Sequence, residues 1–167
     1  MNTRTKIHWR SWLVYILLFL VVMQAANWWK TRDAAGGNLS EFTGELMDGS
    51  VFTISEFAGR PVLFHFWASW CPICELGNGT IQSISQDYQV ISIASWSEGE
   101  AEVKAYMQDK QLTFPVMLDT SGKLAQSFGV KGVPASFILD SNGEISFVES
   151  GYSTEPGLRL RLWLAAL

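Results

Sequence analysis

The 167-residue sequence has few of the side chains that hold metal ions, since it contains only two cysteines and two histidines. A tetrahedral structural zinc site takes four such ligands. His8 precedes a long apolar run and His65 lies in a predicted buried strand, so neither is well placed to join Cys71 and Cys74. A structural zinc centre is therefore disfavoured, and we predict no metal site.

Acidic residues are absent from residues 1–32, although five of the twelve Lys and Arg lie there. Residues 33–167 contain the other seven basic residues and all sixteen Asp and Glu, which gives them a net charge of −9. Because phosphate binding needs a basic surface, we expect no nucleic-acid partner.

Charge of either sign is missing from residues 11–29, an apolar stretch of nineteen residues. That is about the length that crosses a bilayer core of roughly 30 Å. Tryptophans stand at both ends, and basic residues precede the stretch, which favours a cytoplasmic N-terminus. A cleaved signal peptide is the alternative, but Met23 and Gln24 stand where its cleavage site prefers small residues.

The sequence therefore divides into four predicted parts. These are a cytoplasmic N-terminus over 1–10, a single transmembrane anchor over 11–29, a small and polar linker over 30–39, and an exported domain over 40–167.

The exported part has the pattern of an α/β domain. Alternating apolar and polar residues flank Asp48-Gly49, which predicts a β-hairpin, and the apolar run over 61–69 predicts a central strand buried on both faces. Strands and helices then alternate, which predicts a mixed sheet flanked by helices. Helices are predicted over 72–88, 97–110, 122–128 and 153–167. Besides the hairpin and the central strand, strands are predicted over 90–95, 114–118, 135–140 and 144–150. Ser97 and Glu100 form a predicted capping box for the second helix.

The two cysteines occur in "FWASWCPICELG", residues 66–77, where the central strand gives way to a helix. Unpaired backbone N–H groups and the positive end of the helix dipole stabilise a thiolate there, which lowers the pKa of Cys71. Cys74 is three positions further on the same side of the first turn, close enough to form a disulfide. This placement favours a redox couple over two inert buried thiols.

Two segments carry a family resemblance: "PVLFHFWASWCPIC" at 61–74 and "FPVMLDTSGKLAQSFGVKGVPASFILDSNGEI" at 114–145. Over about 40–167 the sequence resembles the thioredoxin superfamily. It is most similar to membrane-anchored periplasmic thiol–disulfide oxidoreductases of the TlpA/ResA and cytochrome-c-maturation type, including those linked to suppression of copper sensitivity. The resemblance implies a thioredoxin fold with an N-terminal β-hairpin and a helical insert, preceded by one transmembrane helix.

The resemblance also implies roles for individual residues. Cys71 would be the nucleophile and Cys74 the resolving thiol, and their redox-active disulfide would serve in place of a separate cofactor. Pro134 matches the family's cis-proline, and the backbone of Val133 would pair with a substrate segment. Trp70 and Pro72 would contribute to the same substrate-binding surface.

Two positions depart from the family pattern. His65 stands where thioredoxin has a buried Asp, and Gly77 stands where some relatives carry a functional Glu. Because imidazole titrates closest to neutral pH, we hypothesise that His65 is the base or acid for Cys74. The alternative is a neutral core histidine that is bonded to the backbone.

The function implied is an oxidoreductase of the bacterial inner membrane with its domain in the periplasm. It would reduce exported protein disulfides and be recharged by a membrane electron-donor protein. A disulfide donor or isomerase remains open, since both oxidants and reductants carry proline between the cysteines. A Cu(I)-binding protein that uses both thiolates also remains open.

Overall fold

The structure, a computed structural model, describes residues 12–19, 21–22 and 36–167. Residues 12–19 and 21–22 are helical, while the remainder of the predicted anchor and the whole predicted cytoplasmic N-terminus lie outside the described residues. Among the residues described, no helix is both long and apolar enough to cross a membrane. The chain forms two compact units, Met1–Asp33 and Ala34–Leu167, and the second carries the features below.

The second unit contains seven strands and four α-helices, together with a short 3-10 helix at Ile54–Phe57. The strands are β1 Thr43–Glu45, β2 Val51–Thr53, β3 Val62–Trp67, β4 Gln89–Ser95, β5 Val116–Asp119, β6 Ala135–Leu139 and β7 Ile145–Ser150. The helices are α1 Pro72–Ile84, α2 Glu100–Asp109, α3 Lys123–Ser127 and α4 Glu155–Ala165.

Five strands form a mixed sheet in the order β5-β4-β3-β6-β7. β3 is central: it runs parallel to β4 and antiparallel to β6, and all six of its residues are buried. β1 and β2 form the predicted hairpin, in which Gly49 takes a φ of +83° and Asp48 accepts a hydrogen bond from the Ser50 N–H. Strands buried on both faces are almost continuously apolar. The apolar run that contains β3 therefore predicted a central strand correctly.

The sheet has an apolar core on each face. Alternation along β3 sends Leu63 and Trp67 to the face that α1 and α4 cover, together with both cysteines. Phe64 and Phe66 point to the opposite face and pack against an aromatic cluster around Phe128. His65 lies two positions from both Leu63 and Trp67, so its side chain points to the same face of the sheet, which is the face that carries the cysteines.

Three local features differ from the sequence-based expectation. α1 ends at Ile84 rather than near residue 88, because the Gln86 and Asp87 N–H groups bond to carbonyls only three residues back, as in turns. The predicted capping box is wrong: Gly99 precedes α2 without a side-chain cap, and Ser97 bonds elsewhere. Residues 37–39 of the predicted linker join the domain, since the Leu39 N–H bonds to the carbonyl of Gly143.

Candidate active site

The cysteine pair lies at the amino end of α1, immediately after the central strand. Cys71 is the N-cap residue, Pro72 is the first residue of the helix, and the two cysteines form a disulfide. The Cys74 N–H points at the Cys71 Sγ from 3.2 Å. In the reduced protein this N–H and the helix dipole both favour a thiolate on Cys71, because each interacts with the charged form.

The loop before β6 faces the cysteine pair. The Val133 carbonyl oxygen lies 3.7 Å from the Cys71 Sγ, and the Val133–Pro134 peptide bond is cis. The Pro134 carbonyl accepts a 2.8 Å hydrogen bond from the Gly151 N–H, which ties this loop to the end of β7. The structure therefore brings together the cysteines, Val133 and Pro134, which the sequence separates by about sixty residues.

The segment before Cys71 is held by the loop that follows β4. The Trp70 indole N–H donates to the Trp96 carbonyl at 2.8 Å, and Trp96 has a φ of +54°, in the left-handed region. The Ser69 N–H donates to the Ser97 Oγ, and the Ser69 hydroxyl donates to the Glu102 carboxylate. Sequence reasoning missed this support, because Trp96, Ser97 and Glu102 meet the cysteine loop only through the parallel pairing of β3 with β4.

His65 is buried on β3 opposite Ser136 on β6. Its Nδ1 lies 2.9 Å from the Ser136 Oγ. Burial lowers the pKa of His65 to about 4, because the charged imidazolium loses its hydration. The imidazole is therefore neutral at pH 7 and does not titrate near neutral pH, although titration there was the reason for expecting it to act as a base or acid. Its hydrogen-bond partner is a side-chain hydroxyl rather than the backbone.

His65 and Cys74 line the same small cavity. The cavity has a volume of about 10 Å³, roughly the space of one water molecule, and Gly77, Pro134, Ser136 and Tyr152 are among its other lining residues. The structure thus places His65 beside Cys74, a neighbourhood that the hypothesis of a proton-transferring group requires. Tyr152 was missed because it follows the edge strand β7 and nothing in the local sequence marks it.

Large apolar side chains are exposed around the cysteine pair. They are Trp70, Ile73, Leu76 and Tyr152, each at least half exposed. Cys71 itself is only 5% exposed, so a partner must approach closely to reach its sulfur. In the residues that the structure describes, no group of three or more His, Cys, Asp and Glu side chains is arranged to hold a metal ion.

Comparison with known proteins identifies the family of the chain. The model of the redoxin family matches residues 34–160, which is most of the chain. The chain belongs to the redoxin family. Among curated relatives, it is 27% identical to a thioredoxin-like protein of Haemophilus influenzae over 93% of both chains. It is 26% identical to the thiol–disulfide oxidoreductase ResA of Geobacillus thermodenitrificans, over 80% of this chain and 79% of ResA.

Solved structures resemble the same part of the chain. The exposed lipoprotein thioredoxin of Streptococcus pneumoniae superposes with a TM-score of 0.65 at 27% identity. The match covers 74% of this chain and 98% of the pneumococcal one. The predicted thioredoxin-like fold is confirmed, and so is the predicted enzyme class: this redoxin is a thiol–disulfide oxidoreductase with a CxxC pair at Cys71 and Cys74.

Proposed function

We propose that this redoxin reduces disulfides in exported proteins, with Cys71 as the attacking thiol and Cys74 as the resolving thiol. The observation that carries the proposal is the disulfide at the start of α1, with Cys71 as N-cap and the Val133 carbonyl 3.7 Å from its sulfur. Cys71 is the cysteine whose thiolate the helix end stabilises, while Cys74 is 1% exposed and out of a partner's reach.

The reaction proceeds in two exchange steps. The Cys71 thiolate attacks one sulfur of the client disulfide, which forms a mixed disulfide and releases the first client thiolate. Cys74 then loses its proton and attacks the Cys71 sulfur, which releases the second client thiolate and leaves the Cys71–Cys74 disulfide. The client gains two electrons and the redoxin loses two, so a dithiol electron donor must reduce the enzyme before the next turnover.

His65 is the proposed acceptor of the Cys74 proton. It lines the same water-sized cavity as Cys74, and it is neutral at pH 7, which is the form able to take a proton. Ser136 holds the Nδ1 side of the ring, so Nε2 is the nitrogen left for transfer. A single water in the cavity would join the thiol to the imidazole.

The client surface is proposed to comprise Trp70, Pro72 and Val133 around the sulfur of Cys71. Trp70 supplies an exposed ring whose orientation the Trp96 carbonyl fixes. Pro134 holds Val133 beside Cys71, where an extended client segment can lie against the backbone of this loop.

The proposed location is the outer face of a bacterial inner membrane, with residues 11–29 as a single anchor and a membrane protein as the electron donor. Two observations support it: residues 11–29 carry no charge, and the pneumococcal relative is an exposed lipoprotein. A membrane donor would supply electrons in a compartment that is otherwise oxidising.

The first test is the reduction potential of the Cys71–Cys74 disulfide. Residues 34–167 are equilibrated with glutathione or dithiothreitol and the thiols are trapped. A value near or below about −230 mV supports a reductant, whereas a value of about −120 to −180 mV would indicate a disulfide donor or isomerase. Failure to form a reversible disulfide would exclude both, and Cu(I) binding by the two thiolates would then be titrated directly.

A second test asks which cysteine attacks. A Cys74→Ser variant should accumulate a mixed disulfide between Cys71 and a client, because the resolving step is lost. A Cys71→Ser variant should accumulate none. Trapping through Cys74 instead would reverse the assigned roles.

A further inference from the structure

Tyr152 lines the His65–Cys74 cavity and is also exposed at the surface of the domain. One part of the residue lines the cavity, yet 53% of its surface is exposed. Tyr152 therefore lies between the water-sized space inside and the bulk solvent outside.

Two glycines flank Tyr152, one beside it on α1 and one directly before it in the chain. Gly77, on α1, has no side chain, and a Cβ built there would lie 4.0 Å from Cδ2 of Tyr152. Gly151 takes a φ of +95°, a conformation that favours glycine, and donates its N–H to the Pro134 carbonyl at 2.8 Å. The ring therefore lies beside α1, and the residue before it is tied to the Pro134 loop.

The surroundings of His65 inside the cavity are almost free of charge. In the oxidised protein Tyr152 is the titratable side chain that lines the cavity beside His65, because Cys74 is held in the disulfide, while β6 contributes the neutral Ser136. No Asp, Glu, Lys or Arg of the described residues lines it. Because no charged side chain of the described residues lines the cavity, the access of solvent to His65 is expected to set its pKa.

We propose that Tyr152 is a positioning residue that closes the His65–Cys74 cavity to bulk solvent, so that the Cys74 proton passes to His65 rather than directly to water. The second half of this inference rests on the proposed function. The seal itself is a property of the oxidised protein and can be tested without any exchange reaction.

The test is an NMR titration of the His65 ring in oxidised residues 34–167. This unit contains a single histidine, so the signal needs no assignment, and it has its own apolar cores on both faces of the sheet. Tyr152→Ala opens the cavity, whereas Tyr152→Phe keeps the ring and removes only the hydroxyl. Trp163→Ala is the matched control, because Trp163 is 54% exposed on α4 and does not line the cavity.

If Tyr152 closes the cavity, the four proteins should differ in the pKa of His65 as follows. The pKa of His65 stays at about 4 in the parent, in Tyr152→Phe and in Trp163→Ala, and rises towards the ordinary value of 6.5 in Tyr152→Ala. A pKa that stays at about 4 in Tyr152→Ala would overturn the proposal. If Tyr152→Ala does not fold, Tyr152→Ser and Tyr152→Leu give the same comparison, with the smaller side chain expected to raise the pKa more.

A kinetic measurement tests the second part of the proposal, the transfer of the Cys74 proton to His65. In Tyr152→Ala, the pH profile for resolving a Cys71–client mixed disulfide should move to higher pH with the His65 titration, while Tyr152→Phe keeps the parent profile. An unmoved profile alongside a shifted His65 titration would refute the proton route. If the parent protein resolves no mixed disulfide, the proposed function fails, and the NMR titration still decides whether Tyr152 is a seal.

Discussion

His65 on β3 and Ser136 on the neighbouring strand β6 are paired in register, and the His65 Nδ1 lies 2.9 Å from the Ser136 Oγ. This pairing does two things for a buried imidazole. It satisfies one ring nitrogen, so that burial costs less, and it holds the ring beside the cavity that Cys74 shares. Burial would raise the pKa of an aspartate at this position, whereas it lowers the pKa of His65 and keeps the imidazole neutral at pH 7.

The first prediction concerns the His65→Asn variant. Asparagine keeps a polar side chain next to Ser136 but has no basic nitrogen that could accept the Cys74 proton. General-base assistance typically contributes 10²–10⁴-fold and weakens as the pKa of the base falls below the working pH, so with a pKa of about 4 we expect resolution of the mixed disulfide to slow by at most about 10²-fold at pH 7. Quenched-flow trapping of the Cys71–client adduct measures the rate. The first step, attack by Cys71, serves as the internal control and should be unchanged; equal resolution rates across the pH range would rule out the role.

The second prediction is a pH dependence of stability that comes from His65. Its folded-state pKa, about 4, is below the unfolded value of 6.5, so the unfolded chain binds the extra proton between these two pH values. Stability from this group is therefore full above pH 6.5 and is lost as the pH falls towards 4. A pKa difference of this size between the folded and unfolded states corresponds to about 3 kcal/mol in the free energy of unfolding.

Urea unfolding of the parent and of His65→Asn at pH 7 and pH 4 measures this contribution. Carboxyl groups such as Glu155, whose pKa is lowered by Arg159, also lose stabilising interactions in acid, and they do so in both proteins. Their effect cancels in the difference between parent and variant. We expect the parent to lose more stability than the variant between the two pH values; equal losses would contradict a depressed pKa for His65.

The strand and helix that carry the cysteines were predictable because their signals are local. β3 is a continuous apolar run, and Pro72 marks the first turn of a helix directly after Cys71. The order of strands and helices was equally visible in the alternation of patterns. The end of α1 was placed four residues too late, since turns extend the helical path beyond Ile84.

The surroundings of the cysteines were less predictable because they depend on tertiary contacts. His65 and Ser136 are 71 positions apart, and only the antiparallel register of β3 with β6 brings them together. Ser97 illustrates a competing bond: its spacing to Glu100 suggested a capping box, but its hydroxyl accepts from the Ser69 N–H. A local motif cannot reveal that Ser69, in the loop after β3, already donates to the same oxygen.

The third prediction uses the two glycines inside α1. Glycine in a helix interior costs roughly 0.5–1 kcal/mol relative to alanine, so Gly77→Ala should stabilise the domain by about that amount. Its new Cβ would meet Tyr152 only at ordinary contact distance. Gly79→Ala is the matched control, since a Cβ there meets no described atom within 4 Å. Urea unfolding should show similar gains for both, and a loss in Gly77→Ala alone would mean that Tyr152 packs more tightly than this spacing implies.

The fourth prediction concerns Gly122, which lies against the indole of Trp96. A Cβ at Gly122 would fall 1.8 Å from Trp96 Nε1, so Gly122→Ala must displace this ring and disturb the carbonyl that holds Trp70. Gly122 also has a φ of +68°, and left-handed backbone alone costs alanine about 1–2 kcal/mol. Gly49→Ala separates the two effects, because Gly49 has a φ of +83° and no described atom within 4 Å of the new Cβ.

Gly122→Ala should therefore destabilise the domain more than Gly49→Ala does, and it alone should change client exchange. Urea unfolding measures the first effect, and the concentration dependence of client reduction measures the second. Because Trp70 lies on the proposed client surface and not among the reacting atoms, we expect KM to rise while kcat is largely kept. If both variants lose equal stability and keep the parent KM, then Trp96 does not control the position of Trp70.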